Sequence, residues 1–266
     1  MISTKQTPIP EGSKNGKTDH SLNARKGVQE NSTRKIALAA GVLMVITFIT
    51  SIPAFFVAYH PLLTDPAKYI LGTGADTQVF LGALLEVMLA VAGVGTAVVL
   101  YPVVKRQSGI VALAYVTSRL LESALIMVGI VSVLSVVTLR QDFAGVAGTD
   151  TASLIIAGKS LVAVHDWTFL LGPTLLAGVG NGCLLGYLMY RSGLVPRRMA
   201  VLGLIGGPLV IAATVCVLFG VFKAGSAPQA ISTAPEFVWE LSFGIYLIVK
   251  GFKPSPITSE RIPYAA

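Results

Sequence analysis

Six side chains that water would ordinarily solvate fall inside long apolar runs: Glu86, Arg119, Glu122, His165, Asp166 and Glu240. An ionised group at the centre of a bilayer costs about 2.5–3.5 kcal/mol on insertion scales, so each one needs a partner, a wet cavity or a task. Facing lipid, the set would cost over ~10 kcal/mol, comparable with the whole stability of a domain. These residues must therefore face inward or be neutralised. Arg119 and Glu122 are three apart, so they share a helix face and can pair. The whole set holds four acids against one arginine and one histidine, which predicts protonated carboxylates or a bound cation. The chemistry implied is an outward-opening cavity for a cation, a proton or a small polar solute, and so cation- or proton-coupled transport or binding of a small solute. The alternative is a static polar network that only fixes helix packing.

Other chemistries find less support. One histidine with several carboxylates could hold zinc, manganese or iron, and which metal is left open. However, His60 falls at a helix end and His20 in the N-terminal tail, so there is neither a His-x-x-x-His pair nor a bis-histidine haem site. No G-x-S-x-G elbow or Ser-His-Asp order supports acyl transfer. The glycine-rich stretch 72–77 lacks the lysine of a phosphate loop. Cys183 and Cys216 sit in apolar sequence without C-x-x-C spacing, which points away from a disulfide framework or a zinc site. The sequence thus points away from an enzyme, with no cofactor expected, and keeps metal-assisted chemistry as a third reading.

The elements that must hold the six residues are apolar helices. Only 12% of the 266 residues are charged and 53% are hydrophobic, and the mean hydropathy is +0.74. A soluble chain carries about 25% charged residues, so most of this chain belongs in lipid. Runs at 36–58, 79–104, 110–138, 161–190, 199–222 and 235–249 predict six spans, since ~20 apolar residues cross a bilayer core. The fold class is all-α, a polytopic integral membrane bundle of six transmembrane helices. Residues 1–35 are basic and poor in aliphatic side chains, so they read as a disordered tail, and residues 251–266 form a second tail. Gly72 to Thr77 and Gly148 to Thr151 carry helix N-cap signals, and Pro173 should bend the fourth span.

The basic residues set the expected orientation. The net charge of +7 comes from 20 basic and 13 acidic residues, and the basic ones gather at the ends of apolar runs rather than in a nucleic-acid stripe. With six spans, one side holds Lys5, Lys14, Lys17, Arg25, Lys26, Arg34 and Lys35, then Lys105, Arg106, Arg191, Arg197, Arg198, Lys250, Lys253 and Arg261. The other holds only Lys68, Arg140, Lys159 and Lys223. The positive-inside rule then puts both termini in the cytoplasm, across a plasma membrane. At 1.5 Å per residue, Glu86, Asp166 and Glu240 lie roughly 8–10 Å from the outer ends of their helices, and Glu122 roughly 12 Å from the outer edge of the core. One outer-half acidic layer is expected, with Trp167 and Trp239 beside it as interfacial aromatics.

Glycines recur every fourth residue at Gly178, Gly182 and Gly186, and again at Gly203 and Gly207. Such small-residue faces allow close helix packing, and Asn181 within the first set is expected to bond a neighbouring helix. The segments RKIALAAGVLMVITFITSIP, LGTGADTQVFLGALLE, VLYPVVKRQ, SRLLESALIMVGI, LVAVHDWTFLLGP, NGCLLGYLMYRSGLVPRRMAVLGLIGGP and WELSFGIYLIVKGFKPSPI follow in that order. They span most of residues 34–257. The chain resembles the prokaryotic membrane-protein family of domain of unknown function 4386. That resemblance implies the multi-pass architecture and brings no activity with it. The partners expected are therefore the lipid bilayer and a cation or small polar solute, with no nucleic acid.

Overall fold

The computed structural model describes residues 15–72 and 75–259. Among them every regular element is helical. Helix α1 (Asn15–Pro53) runs into a wide π-helical turn, Ala54–Ala58, and two short helices follow, α2 (His60–Thr64) and α3 (Pro66–Leu71). Then come α4 (Asp76–Val104), α5 (Gly109–Phe143) and α6 (Thr151–Phe169). The last continues through two π-helical stretches, Leu170–Leu176 and Gly178–Leu185, into α7 (Gly186–Ser192). Helices α8 (Arg197–Leu218), α9 (Ala227–Val249) and α10 (Pro256–Ser259) complete the chain.

Five stretches are long and apolar enough to cross a membrane: Asn31–Ala58, Asp76–Val104, Gly109–Phe143, Thr151–Ser192 and Arg197–Leu218. Helix α9, with 23 residues, is the sixth rod of the bundle, and two glutamates in its middle lower its hydropathy. The six rods close into a ring: α1 packs on α4, α4 on α5, α5 on α6, the second π-helical stretch on α8, α8 on α9, and α9 back on α1. The polytopic all-α bundle read from composition is the architecture observed.

The boundaries differ from the expected spans because hydropathy marks where the apolar run ends, whereas a helix continues until a cap or breaker stops it. Helix α1 reaches back to Asn15, so residues 15–35, expected to be disordered, are helical; no proline lies between Pro10 and Pro53, and a helix nucleated in the apolar run propagates at little cost. The rest of that expected tail, 1–14, lies outside the described residues. Helix α6 starts at Asp150, whose carboxylate accepts from the backbone N–H groups of Ala152 and Ser153. Helix α8 stops before Gly220, at φ +71°. Helix α9 starts eight residues before the expected 235, with Pro228 in its first turn. The cap expected near Asp76 does not form: Ala75 is the N-cap without a side-chain bond, and the Asp76 carboxylate instead binds Arg140, Gln141 and Tyr69.

The bundle has two distinct ends. At one, α2 and α3 fold over the helices, and Tyr59, Leu62, Ile70, Val133 and Val136 form a buried cluster. At the other, basic side chains gather around a second core built on Met44, Leu100, Tyr115, Trp239 and Phe243. There the Arg34 guanidinium donates to the carbonyls of Leu247 and Ile248, closing the C-terminus of α9. The expected second tail is partly ordered at this end: Lys253 N–H donates to Leu194, Ser255 to Ser192, and Arg106 to the Ile257 carbonyl. Residues 260–266 of that tail lie outside the described residues.

The bend at Pro173 has a local cause. Proline has no N–H to give the Phe169 carbonyl four residues back, and its ring pushes that carbonyl away. The helix widens here into i→i+5 bonding, and the Thr174 hydroxyl also donates to the Phe169 carbonyl at 3.3 Å. The second wide stretch packs on α8 through glycine against glycine. A Cβ on Gly182 would lie 2.4 Å from the Gly207 Cα, one on Gly207 2.5 Å from the Gly178 carbonyl, and one on Gly203 2.7 Å from the Trp239 ring. Gly186 is looser, with its nearest neighbour at 3.3 Å.

Candidate functional site

The buried polar residues fall into two tiers rather than the single acidic layer expected. Helix α5 gives the separation. Gly129 touches His165, while Glu122, seven residues away, touches the wide turn at Gly172; at 1.5 Å per residue that is roughly 10 Å. Straight rods of equal tilt were the basis for one layer, and the real helices start at different heights.

The tier nearer the short helices holds Tyr59, Glu86, His165 and Asp166. Tyr59, buried just after the π-helical turn that ends α1, donates to Glu86 at 3.1 Å. The His165 ring is buried, with Nε2 3.8 Å from Glu86 and Nδ1 3.6 Å from Asp166. Those separations suit ion pairs of a protonated ring but exceed hydrogen-bond range, and Nδ1 has no hydrogen-bond partner. Asp166 is 61% exposed at its side chain, so it links this tier to the surface, with Trp167 exposed beside it.

The middle tier is larger. Arg119 donates to Glu122 at 2.5 Å, both nearly fully buried, which realises the pair read from their spacing. Asn181, on the second wide stretch, donates to Glu240 on α9 at 2.8 Å. The Trp239 indole donates to the Asn181 carbonyl at 2.9 Å and is fully buried. Trp239 is therefore a core residue and not the interfacial aromatic expected, because α9 begins eight residues earlier and carries it deep into the bundle.

One member of this tier was not among the expected residues. Glu236 is buried and packs against Gly182 and Gly206. Among the described residues no donor reaches either of its carboxylate oxygens. Its close polar neighbour is the carboxylate of Glu240, one turn along α9, which is another acceptor. Two facing carboxylates require a shared proton or a cation. The i, i+4 spacing of Glu236 and Glu240 was visible in the sequence, but a helix assumed to begin at Pro235 made Glu236 a terminal residue.

The two glutamates line a cavity of about 320 Å³ between α1, α4, the wide turn after α6, α8 and α9. Its walls are largely apolar and include five phenylalanines. Phe48 and Phe237 meet edge to face at 5.0 Å, and Phe55 stacks on Phe169 at 4.6 Å. Ile52, Phe56 and Phe237 line it and are also exposed on the flank of the bundle, so the cavity reaches the surface there. Among the described residues no group of three or more His, Cys, Asp or Glu is arranged to hold a metal ion. His165 stands in the other tier from the paired glutamates.

A family model described as Domain of unknown function (DUF4386) matches residues 39–251. No curated protein and no solved structure matches the chain.

Proposed function

Since the chain belongs to the family of domain of unknown function 4386, its activity has to be read from its own residues, and we propose that it binds a small positively charged solute between Glu236 and Glu240 and moves it across the membrane in exchange for a proton. One observation carries this reading: a buried carboxylate that no donor among the described residues reaches lies beside a second carboxylate, and both residues line one cavity. Such a pair is neutralised by a proton or by a cationic ligand. Competition between the two at one place is the physical basis of coupling, because each ligand excludes the other.

The rest of the middle tier supports a different role. Arg119 pairs with Glu122, and the Trp239 indole bonds the Asn181 main-chain carbonyl, as in a static network that orients helices. Here the network presents Asn181 to Glu240, so the structural reading applies to the support and the binding reading to the glutamates. We place the protein in the plasma membrane, and the excess of Lys and Arg at the end where α1, α5 and α8 begin their apolar stretches supports both termini being cytoplasmic.

The test is thermal unfolding of the purified protein against inorganic cations and amines at several pH values. Anything that binds only the folded state raises the unfolding temperature. A saturable rise that Glu236→Gln or Glu240→Gln abolishes is the result expected. No rise in the wild type, with Glu236→Gln itself unfolding early, would leave the pair as part of the static network.

A further inference from the structure

The walls of the same cavity restrict what its cation can be, an argument that rests on the binding reading above. A hard inorganic cation takes six or more oxygen ligands in the case of Ca²⁺, and near-ideal octahedral geometry in that of Mg²⁺. Glu236 and Glu240 supply four carboxylate oxygens, one of them already accepting from Asn181. The other side-chain oxygens of the lining are the hydroxyls of Thr47, Ser51, Thr174 and Thr233, three of which donate to carbonyls of their own helices. Most of the remaining surface is carbon, with five phenylalanine rings. Aromatic faces carry a negative quadrupole that attracts an ammonium, and their area accepts a hydrocarbon body.

The opening agrees with this. Ile52 and Phe56 lie in the span that ends at Ala58, and their exposed surfaces, with that of Phe237, form the rim. A rim on the flank of a membrane-crossing helix faces acyl chains, which admit amphiphiles and exclude hydrated ions. The volume of about 320 Å³ lies at the lower end of the roughly 300–1,000 Å³ range of small-molecule sites, enough for one small amphiphile and too little for a two-chain lipid. We infer that the ligand is an amphiphilic organic cation, with an ammonium head between Glu236 and Glu240 and an aromatic or branched apolar body against Phe55, Phe169 and Phe237.

The experiment is calorimetric titration of the full chain in lipid nanodiscs with four probes: benzyltrimethylammonium, tetramethylammonium, sodium ion, and neopentylbenzene, which is the uncharged isostere of the first. Benzyltrimethylammonium should bind saturably and at least ten-fold more tightly than the other three. Glu236→Gln should weaken it at least ten-fold. Phe55→Ala, which leaves the carboxylates intact and serves if the glutamate variant fails to fold, should reduce its advantage over tetramethylammonium. If tetramethylammonium or sodium binds as tightly, with the same loss in Glu236→Gln, the amphiphile is overturned while the cation site stands. If the neutral isostere binds as well as the cation, or if no probe binds a folded protein, both readings fall.

Discussion

At Arg119 the guanidinium meets one carboxylate and its Nε finds no acceptor. Removing that charge would strand Glu122 in the core. Arg119→Met is therefore expected to destabilise the protein by about 3–5 kcal/mol, and the double variant with Glu122→Met should recover most of the loss, because a buried pair is costly chiefly when broken. Reversible denaturant unfolding of the four members of the cycle checks this, and a neutral single variant would dismiss the pair as a structural element. Gly182 is a second residue whose part follows from distance. With the Gly207 Cα 2.4 Å from where its Cβ would stand, Gly182→Ala must push backbone from backbone. Overpacking of this kind costs about 1–3 kcal/mol, read in the same unfolding assay. Because Glu236 touches Gly182, ligand binding should weaken alongside.

Helix α6 and its wide continuation set the height at which Asn181 meets α9, so the determinants of that helix act on the site. The Thr174 hydroxyl adds a bond to the Phe169 carbonyl, whose usual donor four residues on is replaced by Pro173. Thr174→Val keeps the shape and removes the donor, which should cost about 0.5–1.5 kcal/mol, the net worth of one hydrogen bond. Unfolding measured beside Thr174→Ser, which keeps the hydroxyl, separates the bond from the packing. At the start of the same helix, the Ser153 hydroxyl and two backbone N–H groups hold the Asp150 carboxyl below the 3.8 of an ordinary aspartate. A depressed acid stabilises the fold above its unfolded pKa and loses that contribution as pH falls through the folded value. Amide exchange at Ala152–Leu154 should therefore accelerate, relative to the rest of α6, as pH drops below 3.8, and Asp150→Asn should flatten that dependence. Exchange that ignores pH in the wild type would count against the cap.

Across the whole molecule, six rods in a ring put α1 next to α9, so the first and last apolar helices jointly wall the cavity. An even number of crossings returns the chain to the side where it began. In a background of Cys183→Ala and Cys216→Ala, Lys223→Cys should react with an impermeant maleimide on intact cells, and Lys253→Cys only after permeabilisation. The reverse pattern would invert the proposed orientation, and labelling of both from outside would reduce the crossings to five.

Composition and the spacing of apolar runs determined a great deal by themselves: an all-helical membrane bundle, six rods, the Arg119–Glu122 pair, and the need for Glu86, His165 and Glu240 to face inward. Those properties are local, since three or four residues along one helix share a face whatever surrounds them, and lipid penalises an unpaired charge wherever the helix sits. Heights and partners were another matter. Where α9 begins, that Trp239 is core, that Tyr59 reaches Glu86 across 27 positions, and that the acids form two tiers all depend on how rods slide against each other. That register is decided by contacts between distant residues, above all the approach of Gly178 and Gly182 to Gly207. Glu236 shows the consequence most clearly: its residue type was always legible, but its isolation from every donor among the described residues exists only once the other helices have closed around it.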